Sequence, residues 1–130
     1  MAILADYTTY TYSDHATETQ EVTITNTDGT TETINLPVQV EASSTVTQKY
    51  VIITHYNFYK EMVDANGNHL FDVQFKVYNS AAEKNANENS HISEGHILGQ
   101  FHSITSSTDL RAKGYEILKA DRRFTNITDA

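Results

Sequence analysis

The chain has 130 residues, no cysteine, and 17 Asp and Glu against 9 Lys and Arg, for a formal charge of −8. That length fits one domain able to bury a core without staples, and the lack of cysteine excludes disulfides and thiolate metal sites. The acidic balance argues against a nucleic-acid or anionic-membrane partner, since both need a basic footprint.

No run approaches the ~20 apolar residues that span a bilayer. Residues 1–15, MAILADYTTYTYSDH, have no basic segment and too short an apolar run for a signal peptide. The chain is therefore expected to be made and used without export. Residues 7–12, YTTYTY, carry no charge and suit a pleated, half-buried surface. Such a run left as a free edge invites pairing, so it is expected to join either the chain's own sheet or a strand of a neighbouring subunit.

After a polar stretch at Ser13–Gln20 comes a hairpin, EVTITNTDGTTETINLPVQV, at 21–40. A two-residue turn at Asp28-Gly29 would set Ile24 against Thr33 and mix the faces. A three-residue loop, Thr27-Asp28-Gly29 with the glycine left-handed in a G1 bulge, instead faces Val22 with Ile34 and is the reading taken. Val22, Ile24, Ile34, Leu36, Val38 and Val40 then share one parity and are expected to face a core, with the intervening Thr, Asn and Gln residues toward water or a partner. Pro37 cannot donate to a ladder, which puts its strand at an edge or a bulge.

EASSTVTQ, at 41–48, reads as a polar connector into the central stretch Tyr50–Tyr78, where Asn66-Gly67 is a strong type I′ hairpin signal. Taken as a two-residue turn, it pairs Met62 with Phe71, Lys60 with Val73, Phe58 with Phe75 and Tyr56 with Val77. One face is then nearly all apolar, with Tyr56, Phe58, Met62, Phe71, Phe75 and Val77 expected to be buried together. The same register opposes Glu61 to Asp72, a like-charge conflict. Residues 80–95 are Asn-rich and apolar-poor; Ala81–Glu88 allows a helical turn or two, but a long surface loop, a candidate contact surface, is the reading taken. HILGQFHSI, at 96–104, resumes a strand in which neither face is purely polar.

The best helix pattern comes last. Ser106 with Asp109 makes a capping box, Asp109 and Lys113 stand four apart as an ion pair, and Leu110, Ile117 and Leu118 form a stripe in which Gly114 permits close approach to a sheet. The helix is expected to end near Arg122 or Arg123, with Phe124 and Ile127 anchoring the tail.

Chemistry-bearing constellations are few. Asp64, Asn66, Asn68 and Asp72 imitate the start of a calcium loop, yet His69 stands where the turn glycine belongs and Phe75 where a bidentate Glu belongs. His91, His96 and His102, with Glu94, have metal-ligand types but no spacing that fixes convergence. There is no nucleophile elbow and no Gly-rich loop opening a helix, so no catalytic residue and no cofactor is assigned and the chain is not read as an enzyme. Tyr50, Tyr56, Tyr59 and Tyr78 offer rigid amphipathic area for stacking on a glycan or a protein, with sheet packing as the default.

The final run, AKGYEILKADRRFTNITDA, resembles the tail of small structural proteins of tailed bacteriophages, in Tyr115, Leu118, Lys119, Phe124, Asp129 and Ala130. The resemblance implies a virion component, made in the host cytoplasm, that occupies a place in a repeated assembly and contacts other virion proteins and copies of itself. The expectation is a single mainly β (α+β) domain over 1–130, an antiparallel sheet or sandwich of two hairpins plus a further strand with one C-terminal helix packed on it. It has an N-terminal strand arm at 1–15 and a helix and tail at 106–130. Assembly contacts are assigned to Tyr7, Tyr10, Tyr12, Asn66, Gly67, Phe124 and Ile127, acting in a homo-oligomer at a tail, baseplate, neck or capsid surface. The competing reading is a carbohydrate- or ligand-binding β-sandwich module, with calcium at Asp64 and Asp72.

Overall fold

The structure, a computed structural model, describes residues 1–130. In chain order the elements are β1 (Ile3–Thr25), β2 (Thr31–Val63), β3 (His69–Tyr78), α1 (Ala81–Ala86), β4 (Ser93–His102), α2 (Leu110–Ala120) and β5 (Phe124–Asp129). The strands form one five-stranded antiparallel sheet in the order β4-β3-β2-β1-β5. Two compact units divide the chain: Met1–Thr8 with Thr45–Ala130, and Thr9–Ser44.

The first unit holds the core. Period-two alternation along β3 sends Phe71, Val73, Phe75 and Val77 to one face, all essentially inaccessible to solvent. Ile3, Ala5 and Tyr7 of β1, Val51 of β2, Ile97 of β4 and Phe124 of β5 complete that layer, and Tyr115, Ile117 and Leu118 of α2 close it. Tyr7 stacks on Phe124 at 5.3 Å, and the edge of Phe75 meets both rings. Phe75 faces Gly95 across the β3–β4 pair, and a Cβ built there would lie 2.4 Å from the ring. The Arg123 guanidinium sits 5.0 Å from the centre of the same ring. The glycine is thus the space that the ring fills.

The central hairpin corrects the expected register. Its loop has three residues, Ala65-Asn66-Gly67, closed by Asp64 N–H to the Asn68 carbonyl and Gly67 N–H to the Asp64 carbonyl. Only Gly67 is left-handed, at φ +79°. The reason is local chemistry: the Asp64 carboxylate accepts the N–H groups of Asn66 and Asn68, each at 2.9 Å, so a type I turn with a G1 bulge forms and Asn66 is spared a positive φ. Asn26–Thr30 closes by the same bond pattern with Gly29 at φ +86°, as read from the sequence.

Further irregularities follow in β2, between Tyr59 and Val63 and between Ile53 and His55. Phe58 therefore faces Phe71 rather than Phe75, Tyr56 faces Val73, and Val51 faces Val77. Of the six residues expected on one buried face, Phe71, Phe75 and Val77 are buried, Phe58 is half-buried, and Tyr56 and Met62 are exposed. The opposition of Glu61 to Asp72 disappears as well, since Asp72 faces Asn57.

At the other end of the chain, α2 starts later than expected. Asp109 is its N-cap, accepting Ala112 N–H at 3.1 Å, while Ser106 lies in the preceding turn. Lys113 bonds Glu116 at 3.2 Å instead of Asp109. Gly114 is buried, and a Cβ there would sit 3.0 Å from the Ile53 side chain, so the helix does come close to the sheet. The tail beyond it is strand: Phe124 faces Tyr7 and Asp129 faces Ile3. Residues 80–95 include the short α1, capped by the Ser80 hydroxyl, rather than only loop. The Tyr78 hydroxyl donates to the Glu88 carbonyl at 2.7 Å and binds this segment to β3.

Because β5 lies beyond β1, the chain's first strand is interior to the sheet, and Ala2 and Ile3 are buried. β1 begins only at Ile3, so beyond that point β2 has no strand on that side. The Tyr115 hydroxyl of α2 fills the gap, accepting Ile53 N–H at 3.1 Å and donating to the Met1 carbonyl. Tyr115 is 1% exposed, so no water replaces its hydroxyl without disruption.

Tyr115→Phe should therefore cost about 1–3 kcal/mol by leaving buried backbone groups unsatisfied, read as a lower urea midpoint. Gly95→Ala should cost about 1–3 kcal/mol by displacing the Phe75 ring. A melting temperature equal to the parent's would show that the ring has room to move.

Candidate functional site

The second unit, Thr9–Ser44, is a two-stranded hairpin in which no residue is buried. The polar stretch 13–20 and the expected connector 41–48 are both strand. Their backbones pair although their side chains have no core to enter. Cross-strand polar contacts mark the alignment: Thr9 Oγ1 to the Ser44 carbonyl at 3.4 Å, the Tyr12 hydroxyl to Glu41 at 2.7 Å, and Gln39 to Asp14 at 2.7 Å. Nearer the loop, Asn26 contacts Thr30. Asp14 to Asn26 is twelve steps while Thr30 to Gln39 is nine, so β1 carries three more residues than β2 between these contacts. His15 marks the insertion, its Nδ1 accepting the N–H groups of Thr17 and Glu18.

Along β2, alternation puts Ile34, Leu36, Val38 and Val40 on one side. The core expected beneath Val22, Ile24, Ile34, Leu36, Val38 and Val40 is absent: Ile24, Leu36 and Val40 are exposed, Leu36 at 42%, Tyr12 is 59% exposed, and Val22, Ile34 and Val38 are only half-buried. The hairpin holds six carboxylates, Asp14, Glu18, Glu21, Asp28, Glu32 and Glu41, and no Lys or Arg. It is an apolar stripe in a strongly acidic setting.

The residues assigned to assembly separate into two groups. Tyr7 and Phe124 are in the first unit's own core, and Ile127 packs against it. Tyr12, Asn66 and Gly67 are exposed and Tyr10 is half-buried, which leaves these four accessible. Sequence reading missed Leu98, 74% exposed, and Phe101, 45% exposed, on the edge strand β4. Their signal was present in HILGQFHSI, whose two faces both carry apolar residues. An irregularity in β4 between the partners of Phe71 and Val73 breaks this edge, a device that discourages open-ended strand pairing.

The four calcium-type oxygens are not gathered. Asp64 is occupied within its loop, and Asp72 lies on β3, where it accepts the Tyr59 hydroxyl at 3.2 Å and stands 3.3 Å from His96 Nε2. The Asp72 charge, and secondarily burial, raise the Tyr59 phenol above its ordinary value. This trio joins β2, β3 and β4 across the sheet. His91 stands 3.7 Å from Glu94, and burial followed by Lys113 pushes His102 below the ordinary imidazole value, against an opposing pull from Glu116. The three histidines thus have separate surroundings, and no three His, Asp or Glu side chains converge to hold a metal. No helix is long and apolar enough to cross a membrane.

The first unit has several concavities, one of about 250 Å³ between Phe58, His69 and Ile104 and two beside β4. A shallow depression of about 430 Å³ is lined by Thr54, His55, Gln74, Phe75, Lys76, Glu94, Gly95 and His96. A groove of about 270 Å³ runs between β4 and α2, with Ile97, Ile117 and Ala120 beside Gln100, His102, Asp121 and Arg122. Comparison with family models, curated proteins and solved structures found no match. Any function must therefore be argued from these surfaces.

If the hairpin adds nothing to the core, replacing residues 10–43 by an Asn-Gly turn should leave the remainder folded. Its stability should stay within about 1 kcal/mol of the parent, as for changes away from packed sites. Urea unfolding followed by tyrosine fluorescence checks this; loss of a cooperative transition would show that the two units depend on each other.

Proposed function

We propose that this chain is a structural protein whose work is assembly through subunit contacts. One observation carries the reading: a 36-residue hairpin, Thr9–Ser44, in which no side chain is buried. Ordering a residue's backbone costs about 1–2 kcal/mol, and an isolated two-stranded hairpin is marginal in water. Partial burial of Val22, Ile34 and Val38 offsets only a little of that cost, so a partner that covers the apolar stripe is the source of stability the hairpin lacks. The accessible Tyr10 and Tyr12, and the exposed Leu98 and Phe101, are further contact area of the kind interfaces favour.

The C-terminal resemblance favours the particle of a tailed bacteriophage as the assembly, with copies of this chain and other virion proteins as partners. Tyr115, Leu118 and Phe124, which carry much of that resemblance, are core residues in this fold. What they support is a shared way of closing a sheet with a helix, and the contact surface itself lies elsewhere.

Light scattering on purified protein, alone and mixed with extract of assembled particles, tests the proposal. Oligomers, or incorporation into particles, are expected. A chain that stays monomeric and never enters a particle would sink it.

A further inference from the structure

β4 is an edge strand whose one neighbour in the sheet is β3, so side chains hold it to α2. Ile97 of β4 and Ile117 of α2 line the groove between them and both belong to the core, and His102 lines the same groove. The Nε2 atom of His102 is buried with no hydrogen-bond partner. An unpaired buried polar atom is costly. The cost grows if the ring takes a proton, because it then carries a charge and both its nitrogens must donate.

The surroundings offer such a charge little relief. On α2, Lys113 repels a proton on the ring, while Glu116, which attracts one, is already bonded to Lys113 at 3.2 Å. In the turn after α2, Asp121 is held by Arg123 at 2.8 Å and 3.1 Å, and Arg122 brings positive charge to the same lining. On β3, His69 stands directly opposite His102, its ring edge-on to Phe58 at 5.1 Å and its Nδ1 3.1 Å from the Lys60 carbonyl. Two charged imidazoles at opposed positions would repel. Burial first, and then Lys113, accordingly hold the His102 imidazole below its ordinary value. His91 and His96 differ, with Glu94 at 3.7 Å from one and Asp72 at 3.3 Å from the other, so a proton on either meets a carboxylate.

We propose that His102 makes the seam between α2 and β4 acid-sensitive: the neutral ring sits in the closed groove, and a proton on it loosens α2 from β4 and uncovers Ile97 and Ile117. The device belongs to a single copy and holds whatever the chain assembles with. Its sign follows from proton binding. Between the lowered value of the folded ring and the ordinary value of about 6.5, the unfolded chain binds a proton that the folded chain does not. The contribution of neutral His102 is therefore complete above the ordinary value and is lost as pH falls through the folded one.

Two measurements on the full chain test this. Imidazole resonances followed by NMR should show His102 titrating below about 6.5, and Lys113→Gln should raise that titration point by removing the facing charge. Hydrogen-exchange protection of the α2 amides, compared at about pH 7.5 and about pH 5, should fall in acid more in the parent than in His102→Gln, whose side chain is uncharged at both. Lys113→Gln should likewise lose less protection than the parent. A His102 that titrates at or above the ordinary value overturns the proposal, and this reading needs no variant to fold. Equal acid losses in the parent and His102→Gln overturn it too, because the proton on His102 is then not what opens the seam.

Discussion

The hydroxyl of Tyr115 is the point on which the first unit's architecture turns. A sheet that places its first strand in the interior must satisfy the neighbour that outruns it, and here one side chain from α2 accepts the Ile53 N–H and donates to the Met1 carbonyl. Its ring is at the same time part of the core beside Ile117 and Leu118. Helix position, strand start and core packing are thereby coupled. Gly114, next in the chain, lets α2 lie close enough for the contact by leaving room for Ile53.

The two units stand at opposite limits of the same balance. In the first, large apolar side chains such as Phe71, Phe75 and Tyr115 leave water almost completely, each worth about 1.5–3 kcal/mol. In the second, backbone pairing and scattered polar contacts such as Tyr12 with Glu41 act with no fully buried residue beneath them. Hydrogen bonds exchanged with water contribute only about 1 kcal/mol each. A hairpin built that way is a surface prepared for something else to complete, and its uniform acidity restricts what that can be.

Much of the chain was legible because local chemistry and pattern agreed. The Thr27-Asp28-Gly29 loop, the buried side of β3, the α2 stripe and the anchoring role of Phe124 all follow from short-range rules. The central register was not, and the failure is instructive. Asn66-Gly67 fits a type I′ turn, yet the Asp64 carboxylate two residues earlier offers the loop a competing geometry that needs only one left-handed residue. The irregularities in β2 then carry Tyr56 and Phe58 to partners that no count from the turn would find. The hairpin's true extent was hidden for a related reason. Ser13–Gln20 and Glu41–Gln48 lack the alternation that marks a half-buried strand, since no face of them is buried.

The order of residues alone determined that this is a mainly β chain with a closing amphipathic helix, acidic, free of cysteine, and with its negative charge gathered in the segment around the first hairpin. Those features depend on alternation, turn chemistry and composition, all local or additive. Only the tertiary structure decided that β1 is interior, that Tyr7 belongs to the core, that Asp72 answers Tyr59 and His96, and that Thr9–Ser44 has no buried residue. Each of these depends on which distant strands become neighbours, a matter settled by long-range packing that no short window of sequence contains.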